Sequence, residues 1–163
     1  MTFRGENYFE SRFLEKAMKK TIGKKLKNQT IIDDLTIQCP AEDFTEKETI
    51  AYRWVFDELD DVRNFMPQFL KQPKRFNNKP PKMICQSLGL SFFKTEEKAR
   101  NKLLFLKQQL TEKAYKNLGT KLALGKLELT FGLTNHPNKA GHFTHYPYED
   151  IDLKEFFTIN GIL

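Results

Sequence analysis

Cysteine, tryptophan and long apolar runs are scarce: the 163 residues hold two cysteines, one tryptophan, and no apolar stretch longer than the LLFL of 103–106. A membrane-crossing helix needs about 20 apolar residues, so none is expected. Charges at Arg4, Glu6 and Glu10 break up the N-terminal stretch where a secretory signal needs an apolar segment, which points to the cytoplasm. Cys39 and Cys85 have no CxxC partner, and Cys85 in KMICQSL reads as a small buried hydrophobe in a reducing compartment. The P-loop, GxGxxG and GxSxG patterns are missing. Only three histidines occur. His142 and His145, three apart on an expected strand, point to opposite faces and cannot clamp one ion, while His136 lies in the preceding loop. Asp33/Asp34 and Asp60/Asp61 have no general base nearby and read as solvated surface. Neither a metal nor a cofactor is expected on these grounds.

Aromatic residues and positive charge are plentiful. Fifteen Phe, five Tyr and one Trp furnish a core, each large side chain contributing roughly 1.5–3 kcal/mol on full burial. The length suits a single domain over 1–163. The net charge is +6 and unevenly spread: 31–66 holds ten acids against Lys47, Arg53 and Arg63, whereas 67–82 holds five cations and no acid. Segregation of this kind steers a polyanion or an acidic partner to one side.

Apolar residues at 9, 13, 14, 17, 18 and 22 predict an amphipathic helix over 8–27, with Arg12, Lys16, Lys20 and Lys24 along another face. TIIDDLTIQCP reads as a strand stopped by Pro40. Thr45 and Glu48 form a capping box before a helix over 46–59, although TIAYRWVF also alternates as a strand would. MICQSLGLSFF reads as a strand interrupted near Gly89. Thr95, Glu96 and Glu97 then open a helix with an apolar face at Ala99, Leu103, Leu106, Leu110 and Ala114, stopped by Gly119. LALGKLELTFGL and HFTHYPY read as strands joined by a loose seven-residue connection, and EDIDLKEFF as a short closing helix. The expected class is α+β: a mostly antiparallel sheet packed by a long amphipathic helix, with an N-terminal helix and a Pro-rich basic arm.

That arm, PQFLKQPKRFNNKPPK at 67–82, combines four prolines and five cations with Phe69 and Phe76. It reads as an extended loop, since proline prevents ladder pairing and like charges resist collapse. Cations interleaved with rings are what a single-stranded nucleic acid groove uses. Lys71, Lys74, Arg75, Lys79, Lys82 and Lys94 are therefore the candidate anion-binding residues, and the expected function is a small intracellular binding module that docks nucleic acid or an acidic protein. A different role, as a subunit or inhibitor in a bacterial protein complex, would use the aromatic HFTHYPY strand as an interface.

Tyr52-Arg53, then LGLSFF with Ser91, then TEEKA with Thr95 and Ala99, resemble fragments of ADP-ribosyltransferase-like domains. The resemblance implies an NAD-dependent enzyme, or a divergent or inactive relative of one. Arg53 would contact the NAD, Ser91 would brace its nicotinamide ribose, and Glu128 in KLELT would activate the acceptor. The family's serine–threonine–serine run is reduced here to Ser91 and two phenylalanines, and its paired acid to Glu128 alone.

Overall fold

A computed structural model describes residues 23–163. The expected N-terminal helix lies outside them except for its last five residues, which form a turn and extended chain in which Leu26 bridges Tyr148.

The centre is a six-stranded sheet in the order β4-β5-β2-β1-β3-β6, from β1 (Thr49–Val55), β2 (Leu90–Phe93), β3 (Lys121–Leu127), β4 (Gly132–Thr134), β5 (His142–Pro147) and β6 (Phe157–Ile162). Every neighbouring pair is antiparallel, so the α+β class holds. β1 replaces the helix expected over 46–59. Its β-branched and aromatic residues alternate in burial, Ala51, Arg53 and Val55 on one face and Tyr52 and Trp54 on the other. A seven-pair ladder with β3, from Thr49↔Leu127 to Val55↔Lys121, outweighs the local capping signal. The capping residues are occupied elsewhere: Thr45 exchanges backbone hydrogen bonds with Thr134 at 3.0 and 2.8 Å, and Glu48 pairs with Lys126.

The face bearing Ala51 and Val55 holds the main core, with Phe92, Phe143, Phe157 and Leu127. On the other face, Tyr52, Trp54, Phe93 and Leu122 receive Ala99. Three short helices precede that contact: α1 (Gln29–Asp33), α2 (Gln68–Lys71) and α3 (Pro81–Leu88). The covering helix α4 spans Glu96–Gln109, its start fixed by the Thr95 hydroxyl accepting from the Lys98 N–H at 3.2 Å. It stops earlier than expected, because Leu106 and Leu110 find no buried seat and Leu110 turns extended. Thr111 then caps a separate helix, α5 (Glu112–Lys116).

The strand expected before Pro40 is instead α1, whose Ile32 joins Leu26, Leu88, Tyr146 and Tyr148 in a second cluster. Packing overrides β-branched propensity there. The first half of MICQSLGLSFF is α3, with Pro81 at its first turn. Gly89 ends it at a close approach, where a Cβ would lie 2.3 Å from Thr144 Cγ2. The basic 67–82 segment is not extended: it coils as α2 and a 3-10 turn over Pro73–Phe76 before α3. Phe69 and Phe76 face each other at 5.7 Å, and Phe76 is buried. The apolar gain of anchoring these rings explains why the charged chain stays folded back. The closing helix shrinks to a 3-10 turn over Leu153–Phe156, followed by β6 on the free side of β3.

Cys39 and Cys85 form a disulfide, correcting the expected free thiol. Forty-six residues of separation hide the neighbourhood that folding creates, since α3 brings Cys85 against the loop after α1. The bond removes the argument that unpaired cysteines made for a reducing compartment. Among the described residues no helix is long and apolar enough to cross a membrane.

Closing a loop of this length restricts the unfolded chain by about 4 kcal/mol in the chain-entropy view. Cys85→Ala, or reduction of the native protein, is expected to lower the unfolding free energy in urea by roughly 2–4 kcal/mol. Equal stability with and without reductant would contradict the bond's role.

Candidate anion-binding site

β1 and β2 pair at one position only, Tyr52↔Phe93. A continued antiparallel ladder would set Trp54 opposite Ser91; instead the Arg53 side chain enters the gap. Its Nη1 donates to the Ser91 carbonyl at 2.6 Å and its Nε to the Asn64 carbonyl at 2.6 Å. The guanidinium carbon lies 5.4 Å from the centre of the Phe92 ring and 5.9 Å from that of Phe65. Only 8% of the residue is exposed. Burial lowers the guanidinium to about 10, still charged at neutral pH.

Asn64 builds the loop that receives this cation. Fully buried, it accepts from the Phe56 N–H at 2.7 Å and donates to the Glu58 and Leu59 carbonyls at 2.8 and 3.2 Å. The loop then leads into α2, whose last residue is Lys71. Lys71 and Arg53 line one cleft of about 200 Å³ with Gln68, Ser91, Asn117 and Trp54. A second cleft of about 290 Å³ adjoins it, sharing Lys71 and Asn117 and adding Arg63. The Lys71 ammonium is pushed down to about 8, first by burial and then by Arg53 and Arg63, with Asp61 opposing weakly. Among the described residues no carboxylate lies within 4 Å of Arg53 or Lys71. Two cations thus line one small space with no carboxylate within 4 Å of either among the described residues.

Of the residues tied to the NAD resemblance, Arg53 and Ser91 meet, through the serine's carbonyl rather than its hydroxyl. Glu128 does not join them. Arg53 is paired with Ala123, whereas Glu128 lies five residues on, just past the end of β3 and about 17 Å away at the strand rise, and it binds Lys126 at 3.1 Å. The three expected catalytic residues are not assembled in one cleft.

Among the expected anion-binding residues, Lys71 lines the cleft, while Lys74, Arg75 and Lys79 are exposed on the adjoining turns. Lys82 lines a separate groove of about 640 Å³ with Cys85, His142 and Tyr146. Lys94 stands apart at the far end of β2, its N–H bonded to the Gly141 carbonyl at 2.9 Å. The HFTHYPY segment is an interior strand between β4 and β2, with Phe143, His145 and Tyr146 buried and His142 and Thr144 half-buried along the groove that Lys82 lines. His145 is locked to Thr134 at 2.8 Å and held neutral by burial, which pushes it down to about 3. Among the described residues no group of three or more His, Cys, Asp or Glu is placed to hold a metal. Asn64, Gln68 and Asn117 escaped sequence reasoning, because single amides in turns carry no periodic signal.

No protein-family model, curated protein or solved structure matches the chain. The site is therefore read from its geometry.

The depressed Lys71 ammonium makes a stability prediction. With a folded value near 8 and an ordinary value of 10.5, its charge opposes folding in full below pH 8. The penalty fades as pH rises from 8 to 10.5, where the unfolded chain binds more protons. Lys71→Met is expected to stabilise the protein at pH 7 by on the order of 1 kcal/mol, in buffer free of phosphate and sulfate. Urea unfolding across pH should show that gain shrinking towards pH 10.5; a loss at pH 7 would contradict the repulsion.

Proposed function

We propose that this chain is a binding module that docks nucleic acid on a basic face made by Lys74, Arg75, Lys79 and Lys82, with Lys71 at its border. One observation carries the reading. Among the described residues these five cations have no carboxylate within 4 Å, while four acids of the 31–66 block pair with other cations: Glu46 with Lys24, Glu48 with Lys126, Asp60 with Lys154 and Asp61 with Arg63. The cations of 67–82 are left without an ion pair, although Asp61 acts on Lys71 and Asp43 shares the groove of Lys82. Phe69 and Phe76 are occupied with each other and the core, so they do not serve as stacking platforms. Recognition then rests on phosphates and carries little sequence preference. The Cys39–Cys85 bond fits an oxidising compartment better than the cytoplasm.

Fluorescence anisotropy with a labelled single-stranded oligonucleotide tests this. Affinity is expected to fall linearly on a log–log salt plot, with a slope of about −0.7 per phosphate neutralised. The triple variant Lys74→Ala, Arg75→Ala, Lys79→Ala should weaken binding roughly tenfold or more for all sequences alike and flatten the slope by about 2. An unchanged affinity would remove the segment from any docking role. Tighter binding of polyglutamate than of the oligonucleotide would assign the face to an acidic protein instead.

A further inference from the structure

We propose that the cleft between β1 and β2 is a receptor for a single phosphomonoester dianion, gripped by Arg53 and Lys71. This site shares Lys71 with the border of the exposed docking face and stands whether or not nucleic acid binds there.

The first ground is the hydrogen-bond inventory of Arg53. A guanidinium carries five N–H donors in a planar fork suited to two oxygens at once. The Asn64 and Ser91 carbonyls accept from Nε and Nη1, and the remaining donors have no acceptor among the described residues, on a side chain that lines the cleft. Carbonyl dipoles and ring faces ease the burial of a cation, but they do not cancel its charge. A buried charge ordinarily finds an opposite one.

The second ground is Lys71. If Arg53 served only to plug the gap between strands, a second cation beside it would be a liability with no return. Lys71 satisfies no backbone carbonyl and no carboxylate among the described residues, and Arg53 and Arg63 both repel it. A charge of minus two between Arg53 and Lys71 turns that repulsion into attraction. A phosphomonoester carries about −1.5 to −2 at neutral pH; a carboxylate would leave one cation unmatched.

The third ground is the shape and lining. No Asp or Glu lines the cleft, whose other polar lining residues include Gln68 and Asn117. Trp54 and Phe93 are among its apolar lining residues. The volume of about 200 Å³ is below the roughly 300–1,000 Å³ of pockets that enclose whole drug-sized ligands. An end group fits. The phosphate can therefore come from a free small phosphomonoester or from the 5′ end of a strand.

Calorimetry with inorganic phosphate, and anisotropy with one oligonucleotide carrying either a 5′-phosphate or a 5′-hydroxyl, separate these sources. The wild type is expected to bind inorganic phosphate, and Lys71→Met, which retains the Arg53 hydrogen bonds and so folds, to bind it at least tenfold more weakly. A preference for the 5′-phosphate strand that Lys71→Met abolishes would assign the strand end. Phosphate binding without that preference would assign a free phosphomonoester. Failure of the folded wild type to bind phosphate would overturn the proposal, as would undiminished binding by Lys71→Met or acetate binding as tight as phosphate. Loss of 5′-hydroxyl strand binding alone would strike the docking face and leave the cleft intact.

Discussion

The guanidinium of Arg53, set between two strands that pair at one point, is the constraint on which the rest of the structure turns. β1 spends its full length on β3 and meets β2 only at Tyr52. The carbonyl of Ser91 would lack a partner in the widening gap, and Arg53 supplies one while also holding the Asn64 loop. A neutral side chain of that length could fill the space but would not bring charge into it. With the charge come the cleft, the position of α2, and the repulsion felt by Lys71.

Electrostatics and packing act together in the remainder of the fold. Exposed ion pairs such as Lys24–Glu46 and Lys126–Glu128 contribute little individually. Their effect is spatial: Glu46, Glu48 and Asp60 are tied to Lys24, Lys126 and Lys154, none of them in 67–82. The two phenylalanines of the segment do the opposite work, folding like charges back onto the protein where solution would otherwise extend them. The exposed Lys74, Arg75 and Lys79 thus lie on turns next to the cleft that Lys71 lines.

Local chemistry was legible in the sequence where it was decisive locally. Thr95 with Glu96 and Glu97 starts a helix because the hydroxyl and the acids suit its N-terminus whatever surrounds it. His142 and His145 fall on opposite faces because a strand alternates. The misreadings are all tertiary. TIAYRWV carried helix and strand signals together, and only the β3 ladder decides between them. Ile31 and Ile32 favour strands until Leu26, Leu88 and Tyr148 offer a helical turn a place to pack. Cys39 and Cys85 are ordinary in sequence and adjacent only in space. Of the candidate site, Arg53 and Lys71 were both noticed, but as members of separate hypotheses. Nothing linear couples a strand arginine to a lysine eighteen positions later, whereas the open β1–β2 gap does so directly.

The central claim is that Arg53 is a buried cation awaiting an external counter-charge, and its own Nε–H signal in a proton–nitrogen NMR spectrum reports on it most directly. The account predicts a resolved, slowly exchanging resonance in the free protein, fixed by the bond to Asn64, that moves in a saturable way as phosphate is added at constant ionic strength. A resonance that ignores phosphate, or one averaged with the solvent-exposed arginines, would contradict it.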